Sequence, residues 1–188
     1  MRDLFHITIF GRASELPQLL AQFGKRFNTI LALLLLQPFP YSCAGDFSSM
    51  NISQLTSEQC EYLDSCLSIY HRLVQTDAAP DEHSLQAIFE WCRSQDWTGE
   101  EINEKPQALA LAAGFGDLLC RQFSLKWVWC EDEEVSDLAL QVEESEAVIW
   151  PFAMVIRRLL EADDTSVPAM VGGIEVALRN LPEVLGKQ

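Results

Sequence analysis

The sequence predicts an α+β protein, in which a small antiparallel β-meander packs against several helices and the N-terminal half is rich in helix. Two observations predict this class. Apolar residues recur at helical spacing over much of the chain, and between Pro106 and Arg158 the hydrophobic period changes twice. A chain of 188 residues that is 48% hydrophobic can bury one core and carry an added element. We therefore predict an N-terminal strand–helix extension over residues 1–44 and a single α+β domain over residues 45–188.

The predicted extension combines a strand over Leu4–Phe10 with a helix from Ser14 to about Leu36. The helix ends in an apolar run that is too short to span a bilayer, which needs about 20 residues. Residues 25–44 also have the order of a signal peptide: two basic residues, an apolar core and a small-x-small site. We expect a buried helix in a cytoplasmic protein, with export through residues 25–44 as the alternative.

The next part of the chain predicts a linker followed by two amphipathic helices. Gly45–Ser53 is rich in Ser and Asn and is expected to be a linker or loop. Thr56 followed by Gln59 is typical of the capping box with which a helix begins. The polar segment Asp96–Lys105 ends the second helix. The apolar faces are formed by Leu63, Cys66, Leu67, Tyr70 and Val74 in the first helix and by Leu85, Ile88, Phe89 and Cys92 in the second.

A third helix is predicted to begin at Pro106, because the missing N–H of proline is no loss in a first turn. Small residues within Ala112–Gly116 would let another backbone approach this helix closely. Leu125–Cys130 alternates with period two and predicts a strand. Two short acidic turns lead to predicted strands at Leu138–Val142 and Ala147–Trp150, and short turns make neighbouring strands antiparallel. The three strands are expected to form a meander.

Two more helices are predicted at the C-terminal end of the chain. Pro151 opens the first, with Arg157 and Arg158 expected to point outward. Its core face is predicted to hold Phe152, Val155, Ile156, Leu159 and Leu160. The second is expected to be short and to follow Gly172 and Gly173, with an apolar face of Ile174, Ala177, Leu178 and Leu181.

Several of these segments together resemble a known family. The resemblance rests on Ala113–Asp117, Leu125–Val128, Glu131-Asp132, Leu138–Leu140 and Trp150–Arg158. They are similar to the bacterial family called domain of unknown function 3806, over about residues 84–170. The resemblance implies an α+β domain of bacterial origin. It implies no activity, cofactor or partner.

Charge is the strongest compositional feature, with 28 acidic residues against 13 basic ones and a net charge of −15. Residues 1–44 carry a net charge of +2, so the rest of the chain carries −17. Such a surface repels a phosphate backbone, and we therefore expect no nucleic-acid binding. It would attract basic protein partners.

Motifs for catalysis, metals and cofactors are missing from the sequence. The six cysteines form no C-x-x-C pair, and the three histidines have no zinc-ligand spacing. There is no P-loop and no nucleophile elbow. We expect a protein without catalytic residues, metal or cofactor, with reduced core cysteines; an exported protein could instead form up to three disulfides.

The candidate binding residues lie in and around the two acidic turns. The acids are Glu131, Asp132, Glu133, Glu134, Asp137, Glu143, Glu144 and Glu146, and no Lys or Arg lies among them. The pattern favours acidic turns that solubilise a small sheet and protect its edges. A basic protein partner is the main functional interpretation, and a hard cation is weaker because the Ca²⁺-loop pattern is absent.

Two tryptophans complete the candidate site. Trp127 and Trp129 share one face of the predicted strand, and they belong either to the core, which we favour, or to an exposed recognition patch. The leading hypothesis is a non-enzymatic binding module, resembling an immunity or adaptor protein, whose acidic surface engages a basic protein. The alternative is an exported or envelope-associated protein.

Overall fold

A computed structural model describes residues 50–131, 136–142, 147–161 and 165–185, all within the compact unit Gly45–Gln188. The elements are β1 (Asn51–Ser53), α1 (Ser57–Val74), α2 (Glu82–Arg93), α3 (Gly99–Ile102), α4 (Pro106–Phe123), β2 (Lys126–Glu131), β3 (Ser136–Gln141), β4 (Val148–Ile149), α5 (Pro151–Leu160) and α6 (Val167–Leu185). The predicted extension over residues 1–44, with its possible targeting segment, lies outside the described residues and stays a prediction.

The sheet is antiparallel throughout, with the strand order β1-β2-β3-β4. The predicted α+β class, with a meander packed against helices, is confirmed. The meander has one strand more than expected, because β1 lies in the segment predicted to be a linker. Ile52 pairs with Cys130 in this strand. Its Asn and Ser residues have weak strand propensity, so pairing with β2 determines its conformation.

Capping residues define where the first three helices begin. The Thr56 hydroxyl accepts a hydrogen bond from Gln59 N (3.3 Å), and Thr56 N donates to Gln59 Oε1 (2.8 Å), which confirms the predicted capping box. Asp81 caps α2 by accepting hydrogen bonds from two backbone N–H groups, and these bonds lower its pKa. Thr98 and Glu101 form a second capping box. The segment Asp96–Lys105, predicted to be irregular, therefore contains the short helix α3.

α4 is the central helix, and α1, α2 and α5 all pack against it. Its residues are buried on nearly every side between Ala108 and Leu119. The small residues that were expected to admit another backbone instead admit aromatic rings. A Cβ at Gly114 would lie 2.9 Å from Tyr70 Cδ2, and one at Gly116 would overlap the Trp127 indole.

The C-terminal helices differ from expectation in two respects. In α5, Arg158 is buried and Leu160 is 48% exposed, so the predicted outward direction of Arg158 and the core position of Leu160 were wrong. α6 is a long helix rather than a short one after Gly172. Pro168 is tolerated in its first turn. The helix continues through both glycines, although each glycine costs about 1 kcal/mol relative to alanine. Met170 and Val171 are buried in this helix.

Candidate protein-binding surface

The two tryptophans of β2 lie on the same face of the sheet, as predicted. Trp127 pairs with Leu140, and Trp129 pairs with Leu138. Both tryptophans are half-buried. The Trp127 ring packs against Phe152, with centroids 6.1 Å apart, and lies over Gly116 of α4. Trp127 therefore joins the sheet to α4 and α5.

The indole nitrogen of Trp127 is buried and has no hydrogen-bond partner. Leaving such a donor unsatisfied costs about 1–3 kcal/mol. Packing of the Trp127 ring against Gly116 and Phe152 therefore leaves the indole N–H without a hydrogen bond. A buried ring in this setting contributes to the core.

The other face of the sheet carries a small apolar cluster. Its buried members are Val128, Cys130 and Ala139, with Met50, Ile52, Val148 and Trp150 packed against them. Both faces of the sheet thus carry apolar side chains, which leaves the turns and the strand ends to carry the charge.

The predicted acidic residues divide into three groups. Glu131 is exposed at the end of β2, whereas Asp137 is half-buried at the start of β3. Asp132, Glu133, Glu134, Glu143, Glu144 and Glu146 lie outside the described residues. Burial raises the pKa of Asp137 to about 6, although Leu138 N donates a 2.7 Å hydrogen bond to Asp137 Oδ1. Asp137 is therefore a poorly solvated carboxyl, unlike the exposed Glu131.

Tyr62 of α1 is a polar neighbour of Asp137, and Cys66 is in turn a neighbour of Tyr62. Burial raises the pKa of Tyr62, and the charges of Cys66 and Asp137 raise it further. Burial also raises the pKa of Cys66, although a hydrogen bond from Tyr62 opposes that shift. Tyr62 packs on Phe152, with ring centroids 6.3 Å apart. Because both pKa values are raised, the phenol of Tyr62 and the thiol of Cys66 are neutral at neutral pH.

Burial suppresses the nucleophilic form of some of the described thiols. Cys60, Cys66, Cys92 and Cys120 are free. Burial raises the pKa of both Cys92 and Cys120 to about 12. A reactive cysteine needs a lowered pKa, because the thiolate is the nucleophile.

Metal-ligand clusters are likewise absent from the part of the chain that the structure describes. His71 Nδ1 lies 3.1 Å from the Thr76 carbonyl oxygen, at the end of α1. A cavity of about 380 Å³ opens there, lined by Ser68, His71, Arg72, Gln75, Thr76 and Asp77. This wide polar depression does not enclose a small molecule, whereas ligand pockets normally bury most of their ligand.

The outer face of α1 adds acidic residues that were not predicted as part of a site. Glu58, Glu61 and Asp64 are all exposed. Their spacing of three residues places them along one side of the helix. Within the described residues, none of the three forms an ion pair. The spacing is visible in the sequence and would have been the signal for this face.

Four of the six arginines that the structure describes, in contrast, form ion pairs with the protein's own carboxylates. Arg157 Nε lies 2.6 Å from Glu161 Oε1, and Arg158 Nη1 lies 2.8 Å from Glu161 Oε2. Two further helical pairs join Arg121 to Asp117 and Arg179 to Glu175. These positive charges are therefore neutralised locally.

A second unpredicted feature is an exposed aromatic patch, which we call the Trp91 patch and define as Trp91, Trp97 and Leu160. Trp91 is 44% exposed, and its ring meets that of Trp97 edge to face, with centroids 5.8 Å apart. Leu160 lies against Gly99, two residues beyond Trp97, with its Cδ atoms 3.9 Å from a Cβ placed on that glycine. Sequence periodicity does not distinguish this surface from a core stripe.

Residues 86–169 match the family model described as Domain of unknown function (DUF3806). This segment is similar to that family. The resemblance inferred from the sequence is confirmed, and its bacterial origin stays a prediction. The matched segment extends from α2 to the first turn of α6. It contains the Trp91 patch and β2–β4, while β1 and the acidic face of α1 precede it. No curated protein and no solved structure is significantly similar to the chain.

A helix that spans a membrane must be both long and apolar. Among residues 50–131, 136–142, 147–161 and 165–185, no helix is both long and apolar enough to cross a bilayer.

Proposed function

We propose that this chain is a non-enzymatic protein-binding module, of the immunity or adaptor kind, which uses an acidic surface to engage a basic protein partner. The proposal rests on a difference between basic and acidic side chains among the described residues: four arginines form ion pairs within the protein, whereas the acids of α1 do not. Arg157, Arg158 and Arg179 are tied to internal carboxylates, while the acids of α1 face solvent. The outward field of the molecule is therefore strongly negative.

This negative field affects the rate at which a complex forms more than its affinity. Single exposed ion pairs contribute only about 0–1 kcal/mol, so the acids of α1 do not provide affinity one by one. A summed charge of −15 over the chain instead steers a basic partner and raises the association rate. Like-charged proteins would be excluded by the same field.

Within the described residues, the suppressed ionisation of three thiols favours binding over catalysis in this proposal. Burial raises the pKa of the thiols of Cys66, Cys92 and Cys120, which suppresses thiolate formation. Burial raises the pKa of Asp137 and limits the access of a substrate to its carboxyl. Substrate access would be needed for acid–base work.

Charge reversal on two separate surfaces tests the proposal. The first variant reverses Glu131, Asp132, Glu133 and Glu134 to Lys, and the second reverses Glu58, Glu61 and Asp64 to Lys. Association with the partner recovered from the native source is then followed at several salt concentrations. We expect each variant to associate more slowly and with a flatter salt dependence than the wild type.

Comparison of the two variants locates the acidic surface. If both slow association about equally, net charge alone is responsible; if one dominates, that surface faces the partner. Rates and salt slopes unchanged in both variants would contradict the proposal. Thermal unfolding of each variant confirms that the fold is retained, since the reversed residues of α1 are exposed.

A further inference from the structure

The Trp91 patch has the geometry of an anchor rather than of a stray exposed side chain. Trp91 is 44% exposed and is held edge to face against Trp97, with an angle of 77° between the rings. Such aromatic pairs contribute about 0.5–1.5 kcal/mol beyond the area they bury. The exposed ring is therefore held in place before any partner arrives, which lowers the entropy lost on binding.

The apolar part of the patch continues beyond the two rings. Leu160 is 48% exposed at the end of α5 and lies against Gly99 of α3. Single exposed apolar residues are ordinary, but an aromatic pair joined to an exposed leucine forms a small apolar surface. Tryptophan is also the residue most enriched at the energetic centres of interfaces.

Acidic residues flank this surface. Glu90 directly precedes Trp91, Asp96 directly precedes Trp97, and Glu101 and Glu104 follow on and beyond α3; all four acids are exposed. Glu101 accepts two hydrogen bonds from Thr98, which lower its pKa and keep it ionised. Residues 90–105 carry five acids against Arg93 and Lys105. This net negative charge around an apolar centre complements a partner segment that is both apolar and basic.

One ring of the Trp91 patch already has a cation of the protein itself above it. Lys105 Nζ lies 5.8 Å from the centroid of the Trp97 ring, within the range of a cation–π interaction. The neighbouring Trp91 ring is 44% exposed and offers a second aromatic surface. An arginine or lysine of a partner could stack there beside the carboxylate of Glu90.

We infer that the Trp91 patch is the contact site for a basic segment of the protein partner, with an Arg or Lys stacked on Trp91 and an apolar side chain against Leu160. This inference rests on the proposed function, because it specifies where a basic partner binds. It also moves the centre of binding from the acidic turns of the meander to the end of α2.

A displayed library of random peptides, selected on the immobilised full-length chain, tests the inference. Enriched peptides are synthesised and titrated against the wild type, Trp91→Ala, Leu160→Ser and the matched control Leu73→Ala, which truncates an apolar residue 38% exposed on α1. We expect net positive peptides with an apolar residue. Trp91→Ala should weaken them by about tenfold or more, the loss typical of an interface anchor. Leu73→Ala should leave their affinity within about twofold.

The outcomes separate this inference from the proposed function. Basic peptides that bind Trp91→Ala and Leu160→Ser as well as the wild type would overturn the inference and leave the proposed function standing. Neutral or acidic peptides, or no enrichment, would overturn both. Thermal unfolding of the two patch variants shows whether each keeps its fold, since Trp91→Ala loses the ring contact with Trp97. Leu160→Ser provides an independent result if Trp91→Ala unfolds.

Discussion

Trp127 of β2 lies over Gly116 of α4 so closely that a methyl group on the glycine would overlap the indole ring. This contact joins the sheet to the central helix. We predict that Gly116→Ala destabilises the protein by about 1–3 kcal/mol, the usual cost of overpacking a core. Chemical denaturation of the two proteins measures the difference.

A glycine in α6 provides the matched control for that substitution. A Cβ at Gly172 would meet nothing within 4 Å. Gly172→Ala should therefore raise the free energy of unfolding by up to about 1 kcal/mol, through helix propensity alone. Equal effects of the two alanine substitutions would show that Gly116 is not a packing requirement.

The buried carboxyl of Asp137 predicts an unusual dependence of stability on pH. Burial raises its folded-state pKa to about 6, from an ordinary value of 3.8. The folded state then binds a proton more tightly than the unfolded chain. The resulting stabilisation is fully present below about pH 4 and is lost as the pH rises through about 6. At about 1.4 kcal/mol per pKa unit, the loss is about 3 kcal/mol.

Asp137→Asn isolates this contribution because it removes the charge and keeps the shape. The free energy of unfolding of the wild type should fall relative to Asp137→Asn as the pH rises from about 4 to about 7. Glu131→Gln removes an exposed carboxylate at the end of β2 and serves as the control for the loss of one negative charge. Parallel profiles for the wild type and Asp137→Asn would contradict the burial of Asp137.

The thiols are predicted to react in order of exposure. Cys60 is exposed, whereas Cys92 is buried and has a pKa raised by burial to about 12. An alkylating reagent at neutral pH should modify Cys60 first, because the thiolate must be both formed and reachable. Cys92 should react only after denaturant is added. Peptide mass spectrometry reads each site, and equal rates at both would contradict the packing described.

Local signals predicted the helical part of the fold well. The Thr56 capping box, the stripe ending at Cys92 and Pro151 at the start of α5 all report short-range chemistry, and all were confirmed. The lengths of β1 and α6 depend on distant partners, since β1 exists by pairing with β2. Pro168 and Gly172 resembled helix breakers in the sequence but lie within a packed helix.

The candidate surface was harder to predict, because exposure is decided by tertiary packing. An acidic run contains both Glu131, which is exposed, and Asp137, which is half-buried, and no sequence pattern separates them. Trp91 lies one position before Cys92 of the buried stripe. Only the exposure of its side chain in the fold distinguishes it from a core residue. Pairing of Arg157 with Glu161, in contrast, follows the i,i+4 spacing that is visible in the sequence.

The most direct test of the account is affinity purification of the tagged full-length chain from its native source, at low and at moderate salt, with stoichiometry read by mass spectrometry. If an acidic surface binds a basic protein, that protein should be recovered near one-to-one stoichiometry at low salt. It should dissociate as salt rises, because screening weakens charge attraction. Recovery of the chain alone at low salt, or of an acidic partner that is insensitive to salt, would contradict the account.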